Sequence, residues 1–240
     1  MPKRLVLAII PARSGSKSIP NKNLLKVHGL SLTKYALYSA QHNKFITHIA
    51  LTSDSDKILS EIDSFEGSRF IRIKRPIELS SDESPDQPVL EHALKFSEKL
   101  FNVKFEAVLM LQPTSPIRSQ NDLNRCINNV LSSKAETSWT VSEVPIRFHY
   151  KKQFEIYDQS LVIATNHEHV PRRQDLKNTY HRDGACYAYT RQVVIDDSML
   201  MGTRCLPVIS EILTHDIDYF EDFNNLEYLT YKKDNQLYWK

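Results

Sequence analysis

Unbroken apolar runs of strand length recur through the first half of the chain, and the stretches between them carry apolar residues every three to four positions. Leu5 to Ile10 is the first such run and Ala107 to Leu111 another, and in the interval His48 to Thr52 and Phe70 to Ile73 are strand-like. Between them, Leu32, Tyr35, Ala36 and Ser39 mark one helical face. Leu90, Ala93, Leu94, Ser97, Leu100 and Phe101 mark another, and Leu123, Ile127, Val130 and Leu131 supply the next. Strands without polar alternation, separated by helices, predict an α/β fold with a mostly parallel sheet and helices on both faces. Ligands of such sheets bind beyond the carboxyl ends of the strands. The segments after Ile10 and Leu111 should lie there, together with Thr52-Ser53-Asp54-Ser55-Asp56.

From about Ser138 to Tyr180 the pattern turns to mixed polar, aromatic and basic residues, with short strands expected at Phe154 to Tyr157 and Leu161 to Ile163. An irregular subdomain, a lid and a dimer arm all fit this stretch. Gly184 to Tyr189 reads as a return to the sheet, and Glu221 to Tyr231 as a closing helix. The expectation is one domain over residues 1–240, with an insertion at about 140–180.

At 240 residues, 41% hydrophobic and 25% charged, the chain can bury one sizeable core. A formal net charge of +2 gives no broad electrostatic reason to bind nucleic acid or an anionic membrane, so any anion site must be local. The three cysteines, Cys126, Cys186 and Cys205, are far apart and form no CxxC pair, which points away from disulfides and zinc and toward a reducing cytoplasm. The apolar run after Lys3 and Arg4 is too short for a signal peptide, and no run approaches the roughly 18 apolar residues of a membrane span. A soluble intracellular protein is expected.

Four stretches carry candidate chemistry. Ser14, Gly15 and Ser16 form a small-residue turn whose N–H groups can converge on an anion, with Arg13, Lys17 and Lys22 supplying full charge to phosphate oxygens. The glycines of a P-loop or a GxGxxG turn are missing here, so neither motif applies. Leu111-Gln112-Pro113-Thr114-Ser115-Pro116-Ile117-Arg118 is stiffened by two prolines and presents Gln112, Thr114, Ser115 and Arg118 as donors. A plain strand-to-helix connection capped by Asn121 is the alternative. Thr214-His215-Asp216-Ile217-Asp218 would, as a strand, turn Asp216 and Asp218 to one face, where two carboxylates can meet one hard cation such as magnesium; an acidic turn ahead of a helix, with Asp218 or Asp222 near its N-terminus, competes. Pro171-Arg172-Arg173-Gln174-Asp175 and Tyr180-His181-Arg182-Asp183-Gly184 combine guanidinium groups with a histidine, which suits an anionic substrate or an ordinary charged surface. His149, His167 and His169 make no metal triad.

Together these stretches resemble the acylneuraminate cytidylyltransferases, the CMP-sialic acid synthetases. Ile10-Pro11-Ala12-Arg13-Ser14-Gly15-Ser16-Lys17-Ser18-Ile19-Pro20-Asn21-Lys22-Asn23 resembles that family's nucleotide loop. Leu111 to Arg118 resembles its LQPTSP(L/I)R signature, Asp183-Gly184-Ala185-Cys186-Tyr187 its (N/D)GAxY stretch, and Asp216-Ile217-Asp218 its magnesium-binding DID pair. The matches run in the family's order over nearly the whole chain. The resemblance implies a Rossmann-like domain, a dimerisation subdomain within about 140–180 and hence a homodimer, and transfer of CMP from CTP to a 2-keto-3-deoxy sugar acid with release of pyrophosphate. It implies that Arg13, Ser16, Lys17 and Lys22 meet the triphosphate, with Asn23 and Ser84 near the nucleotide. Gln112, with Thr114 and Ser115 on the same loop, and Arg173 would meet the sugar acid, and Asp183 would lie beside it. Asp216 and Asp218 would hold Mg2+, and Lys152 would correspond to a lysine from the dimer partner. Catalysis would then rest on Arg13, Lys22, Asp216 and Asp218, with Arg13 and Lys22 expected to stand exposed and unpaired before ligand binds. An acceptor such as 3-deoxy-manno-octulosonate, a different nucleotide, or a non-catalytic nucleotide-binding homologue are the alternatives.

Three positions depart from the family pattern. Ser14 and Ser18 stand where glycine is frequent, and Asp183 stands where sialic-acid enzymes commonly carry asparagine. A carboxylate beside a carboxylate-bearing sugar would be repulsive unless Arg182 or Arg173 neutralised it, so an acceptor other than N-acetylneuraminate is expected.

Overall fold

The computed structural model describes residues 4–16, 18–81, 83–164, 172–212 and 216–240. In chain order the elements are β1 (Val6–Pro11), the small hairpin β2 (Lys26–Val27) and β3 (Leu30–Ser31), α1 (Leu32–His42), β4 (His48–Ser53), α2 (Asp56–Leu59), β5 (Phe70–Lys74), α3 (Asp86–Phe101), β6 (Ala107–Met110) and α4 (Gln120–Leu131). There follow β7 (Thr137–Glu143), the hairpin β8 (Phe154–Tyr157) and β9 (Ser160–Ile163), β10 (Tyr180–Thr190), α5 (Arg191–Asp196), β11 (Cys205–Ile209), α6 (Phe220–Leu229) and a final hairpin of β12 (Thr230–Lys233) and β13 (Gln236–Trp239). Seven strands form one sheet in the order β11-β7-β10-β6-β1-β4-β5, in which β10 alone runs antiparallel to its neighbours.

The central strands of the sheet are buried on both sides because they are apolar at nearly every position, as in β1 and β6. In β1, Val6, Ala8 and Ile10 enter one core with α1, α2 and α4, while Leu7 and Ile9 enter a second core with α3 and α5. This two-residue alternation between two apolar layers is what a doubly covered strand requires. The expected strands and helices of the first half are all present.

Hydrophobic pattern did not reveal β7. Its buried residues are Thr137, Ser138 and Thr140, and each hydroxyl has a fixed acceptor: Met201 O at 2.7 Å, Leu206 O at 3.0 Å, and Asp183 Oδ1 at 2.5 Å with Cys186 O at 3.1 Å. Hydrogen bonds let a polar strand sit where apolar residues were expected. The closing helix also ends sooner than its pattern suggested, at Leu229, and Tyr231 belongs to β12. Between β7 and β10 the chain leaves the sheet for residues 144–179, and every residue of β8 and β9 is exposed.

A third, smaller core lies at the carboxyl edge of the sheet. It joins Ile19, Ile117 and Ile217 with α1, β2, α6 and β13. Each isoleucine comes from a different chemistry-bearing loop, and burying each contributes about 2 kcal/mol. Apolar residues thus fasten together three polar loops that are far apart in sequence.

Candidate active site at the carboxyl edge of the sheet

A cleft of about 260 Å³ opens beyond the carboxyl ends of β1, β5 and β6, lined by Arg13, Ser16, Lys22, Asn23, Arg75, Ser84, Asp86, Gln112 and Thr114 among others. The first loop is held from within. The Ser14 amide donates to Asp54 Oδ1 at 2.8 Å and its hydroxyl to Asp54 Oδ2 at 2.5 Å. Asn23 Nδ2 donates to Arg13 O at 2.9 Å, and Thr33 Oγ1 to Asn23 O at 2.8 Å. Burial pushes the Asp54 carboxyl up, but the two Ser14 hydrogen bonds and the Arg75 charge outweigh it and hold the pKa below the usual carboxylate range. Ser14 therefore clamps the loop to Asp54. On the facing wall Ser84 shares a 2.8 Å hydrogen bond with Ser81.

Arg75 follows β5 and is only 6% exposed. Its Nη2 donates to Thr52 O at 2.9 Å, while Nε has no partner among the described residues. Desolvation lowers the pKa of its guanidinium, with Asp54 and Asp86 opposing. A buried cation with an unused donor in a cleft favours an anionic or carbonyl-bearing ligand.

The amino-terminal cations and the carboxyl-terminal acids meet. Lys22 Nζ donates to Ile217 O at 2.7 Å and lies 3.3 Å from Asp218 Oδ1, and its side chain is only 12% exposed. The expectation of an exposed, unpaired Lys22 is therefore corrected. Residues 216–218 are irregular backbone and not a strand. Ile217 N donates to Thr114 O at 3.0 Å, and Ser115 Oγ donates to Asp216 Oδ1 at 3.3 Å. Buried Ile217 anchors the segment and leaves both flanking carboxylates exposed. Asp222 accepts the Asp218 and Tyr219 amides at 3.0 and 2.8 Å, so it serves the start of α6 and leaves Asp216 and Asp218 to the cleft edge.

Other expected positions turn inward. Ser115 is fully buried, and Asp183, 2% exposed, accepts from Thr140, Ser142 and Ser210 hydroxyls and from the Ala185 amide. Neither faces the cleft, so neither is a substrate contact in this geometry, and Asp183 needs no arginine to neutralise it. The charge argument against an ordinary sialic acid acceptor lapses with that burial. Arg118, also read as a donor toward ligand, is buried: Nε donates to Ala185 O at 2.8 Å and Nη2 to Gln112 O, and desolvation lowers its pKa to about 10. It fastens the Gln112 loop to β10. Gly184 permits that closeness, since at φ +73° a Cβ there would overlap Ser115 Oγ and come within 2.9 Å of Gln112 Oε1. Ser119, not Asn121, caps α4, accepting the Asp122 amide at 3.4 Å. Arg173 is exposed in a single 3-10 turn on the excursion and does not line the cleft of its own chain. Lys17, His167, His169, Pro171, Thr214 and His215 lie outside the described residues.

A sequence profile of the cytidylyltransferases matches residues 7–198, a span that holds both the cationic loop and the Gln112 loop. The chain belongs to the cytidylyltransferase family. It is a nucleotidyltransferase. This cytidylyltransferase is similar to the CMP-N,N'-diacetyllegionaminic acid synthase of Campylobacter jejuni, 29% identical over 226 residues, which covers 93% of this chain and 94% of that one. It is similar to the N-acylneuraminate cytidylyltransferase of Escherichia coli, 26% identical over 235 residues, with 96% of this chain and 53% of that one covered. Among solved structures, a CMP:2-keto-3-deoxy-manno-octonic acid synthetase complexed with CTP shares the Rossmann-like fold, with a TM-score of 0.66, 16% identity and coverage of 94% of this chain and 98% of that one.

Sequence reasoning missed Arg75 and Asp86 in the cytidylyltransferase cleft and flagged Asp54 only by position. The available signal for Arg75 was an arginine before a proline at the end of a predicted strand. For Asp86 it was an acidic residue opening a predicted helix. The pKa of Asp86 is raised by desolvation, against the pull of Arg182 and Arg75.

Proposed function

We propose that this enzyme transfers CMP from CTP to the anomeric hydroxyl of a nonulosonic, sialic-acid-like 2-keto-3-deoxy sugar acid. The observation that carries the reading is the contact of Lys22 with Ile217 O and Asp218, which brings the cationic loop and the acidic couple to one cleft edge. The relatives' activities and the order of the motifs support the acceptor class.

Arg13, Ser16 and Lys22, with Lys17, would hold the triphosphate; Asn23 and Ser84 would line the nucleotide, and the charge of Arg75 in the cleft wall would attract it. Gln112 and Thr114 would position the sugar. The anomeric oxygen attacks the α-phosphorus in line, the bond from that phosphorus to the bridging oxygen breaks, pyrophosphate leaves and the hydroxyl proton is released. Such a step rests on positioning and charge neutralisation more than on covalent chemistry. Arg13 and Lys22 would stabilise the departing pyrophosphate.

Asp216 and Asp218 fit a hard divalent cation by donor chemistry: both are exposed carboxylates flanking one buried anchor, and Asp218 already draws a cation in Lys22. No group of three or more metal-ligating side chains occurs among the described residues, so phosphate oxygens and water would complete the shell. Bound there, Mg2+ would neutralise phosphate charge and lower the pKa of the attacking hydroxyl.

We also infer a homodimer in the cytoplasm. Phe154, Ile156, Tyr157 and Leu161 of the β8–β9 hairpin are exposed large apolar side chains, a surface that a second copy would cover. Arg173 and Lys152 ride on the same excursion, where a partner's cleft could receive them. No helix among the described residues is long and apolar enough to cross a membrane.

The test is pyrophosphate release with Mg2+, four nucleoside triphosphates, and a panel of N-acetylneuraminate, N,N'-diacetyllegionaminate and 3-deoxy-manno-octulosonate. Turnover with CTP and a nine-carbon acid is expected. Turnover with the octulosonate alone moves the acceptor class, and CTP binding by calorimetry without turnover on any acid overturns the catalytic reading.

A further inference from the structure

We propose that Arg182 is the specificity-determining residue that binds the acceptor's carboxylate, an inference that rests on the acceptor class proposed above. Arg13, Lys22 and Arg75 stand on the side of the cleft formed by the first loop and β5, where the triphosphate and base would consume them. A sugar acid seated at Gln112 needs a cation on the β6–β10 side. Neither Arg173 nor Arg182 is among the side chains that line the cleft itself, but Arg173 lies on the excursion, whereas Arg182 is on β10, two residues before the Gly184 that abuts Gln112.

Arg182 meets the requirement by position and by state. It precedes the β10 irregularity between Arg182 and Tyr187, and its guanidinium carbon lies 5.4 Å from the Trp139 ring and 5.7 Å from the Tyr187 ring. Tyr187 in turn accepts the Gly184 amide at 2.9 Å on its hydroxyl, and Gly184 abuts Ser115 and Gln112, so the aromatic platform adjoins the cleft wall. The charge of Arg182 is felt at Asp86, another residue of that wall. Arg182 is exposed, and its own neighbour Asp183 is satisfied by hydroxyls and makes no claim on it. Contacts with both rings restrict where the guanidinium can sit, which favours a preorganised partner for a carboxylate.

The test is a cycle between protein and ligand. Wild type, Arg182→Ala and Arg182→Lys are each assayed with the best acid of the panel and with its methyl ester, following pyrophosphate release. Wild type should lose about 10- to 100-fold in kcat/KM on esterification, the value of a charge-assisted hydrogen bond. Arg182→Ala should lose a similar factor on the free acid, lose less than about threefold further on esterification, and change the KM for CTP less than about twofold. Arg182→Lys should fall between them and shows the effect if the alanine variant folds poorly. Full discrimination against the ester in both variants overturns the inference and leaves the function standing. No turnover of any acid by wild type overturns the function and this inference with it.

Discussion

Replacing Gly184 by alanine should cost stability and activity together, by an amount the structure lets one work out. At φ +73° a Cβ pays the left-handed penalty of about 1–2 kcal/mol. The same atom overlaps Ser115 Oγ and presses Gln112 Oε1 at 2.9 Å and Ser115 Cβ at 3.1 Å, and overpacking of this kind adds about 1–3 kcal/mol. Moving Ser115 also forfeits its hydrogen bond to Asp216, about 1 kcal/mol. The expected total is about 3–6 kcal/mol, measured as the free energy of urea unfolding. Gly29→Ala is the control: its φ of +84° carries the same backbone penalty, but no atom lies within 4 Å of the new Cβ, so it should lose only about 1–2 kcal/mol. In conditions where both variants are folded, Gly184→Ala should also lose more than about tenfold in kcat/KM, because Gln112 and Asp216 shift with the loop. Equal stability of the two variants would refute the close approach of β10 to the Gln112 loop.

Three further outcomes are expected. Glu98 is buried and accepts from Arg191 Nε and Nη2 at 2.8 and 3.0 Å, Lys104 at 2.8 Å and the Phe105 amide at 3.3 Å; burial pushes its carboxyl up, but these partners outweigh it and bring the pKa to about 2. Because the folded pKa lies below the unfolded one, the stabilisation is complete above about pH 5 and is lost as pH falls toward 2, about 3 kcal/mol in all, so Glu98→Gln should flatten the acid limb of the stability curve in urea titrations. Arg75→Met should leave stability unchanged or raised, since it removes a buried, half-satisfied cation and Thr52 O keeps the Ala12 amide at 3.0 Å, while CTP affinity by calorimetry falls about tenfold or more. Lys22→Ala should slow pyrophosphate release by orders of magnitude and also lower stability by about 1 kcal/mol, because its ammonium ties the first loop to Ile217 O; an unchanged rate would remove Lys22 from the reaction.

Periodicity determined the parallel half of the sheet and its helices, because a strand buried on both faces and a helix buried on one have distinct apolar repeats. The sequence also marked the three polar loops at the strand ends, because cations, prolines and paired acids stand out where apolar runs stop. It could not mark β7, whose burial depends on acceptors that its hydroxyls find in distant segments, nor Arg75, whose importance comes from being enclosed. Only the tertiary structure decided which polar groups line the cleft. It sent Ser115, Arg118 and Asp183 inward to bind the scaffold, and drew Lys22 onto Asp218 through the shared burial of Ile19, Ile117 and Ile217. The physical reason is that residue type fixes what a side chain can bond to, whereas its neighbours, set by packing between distant segments, fix which of those bonds remain open.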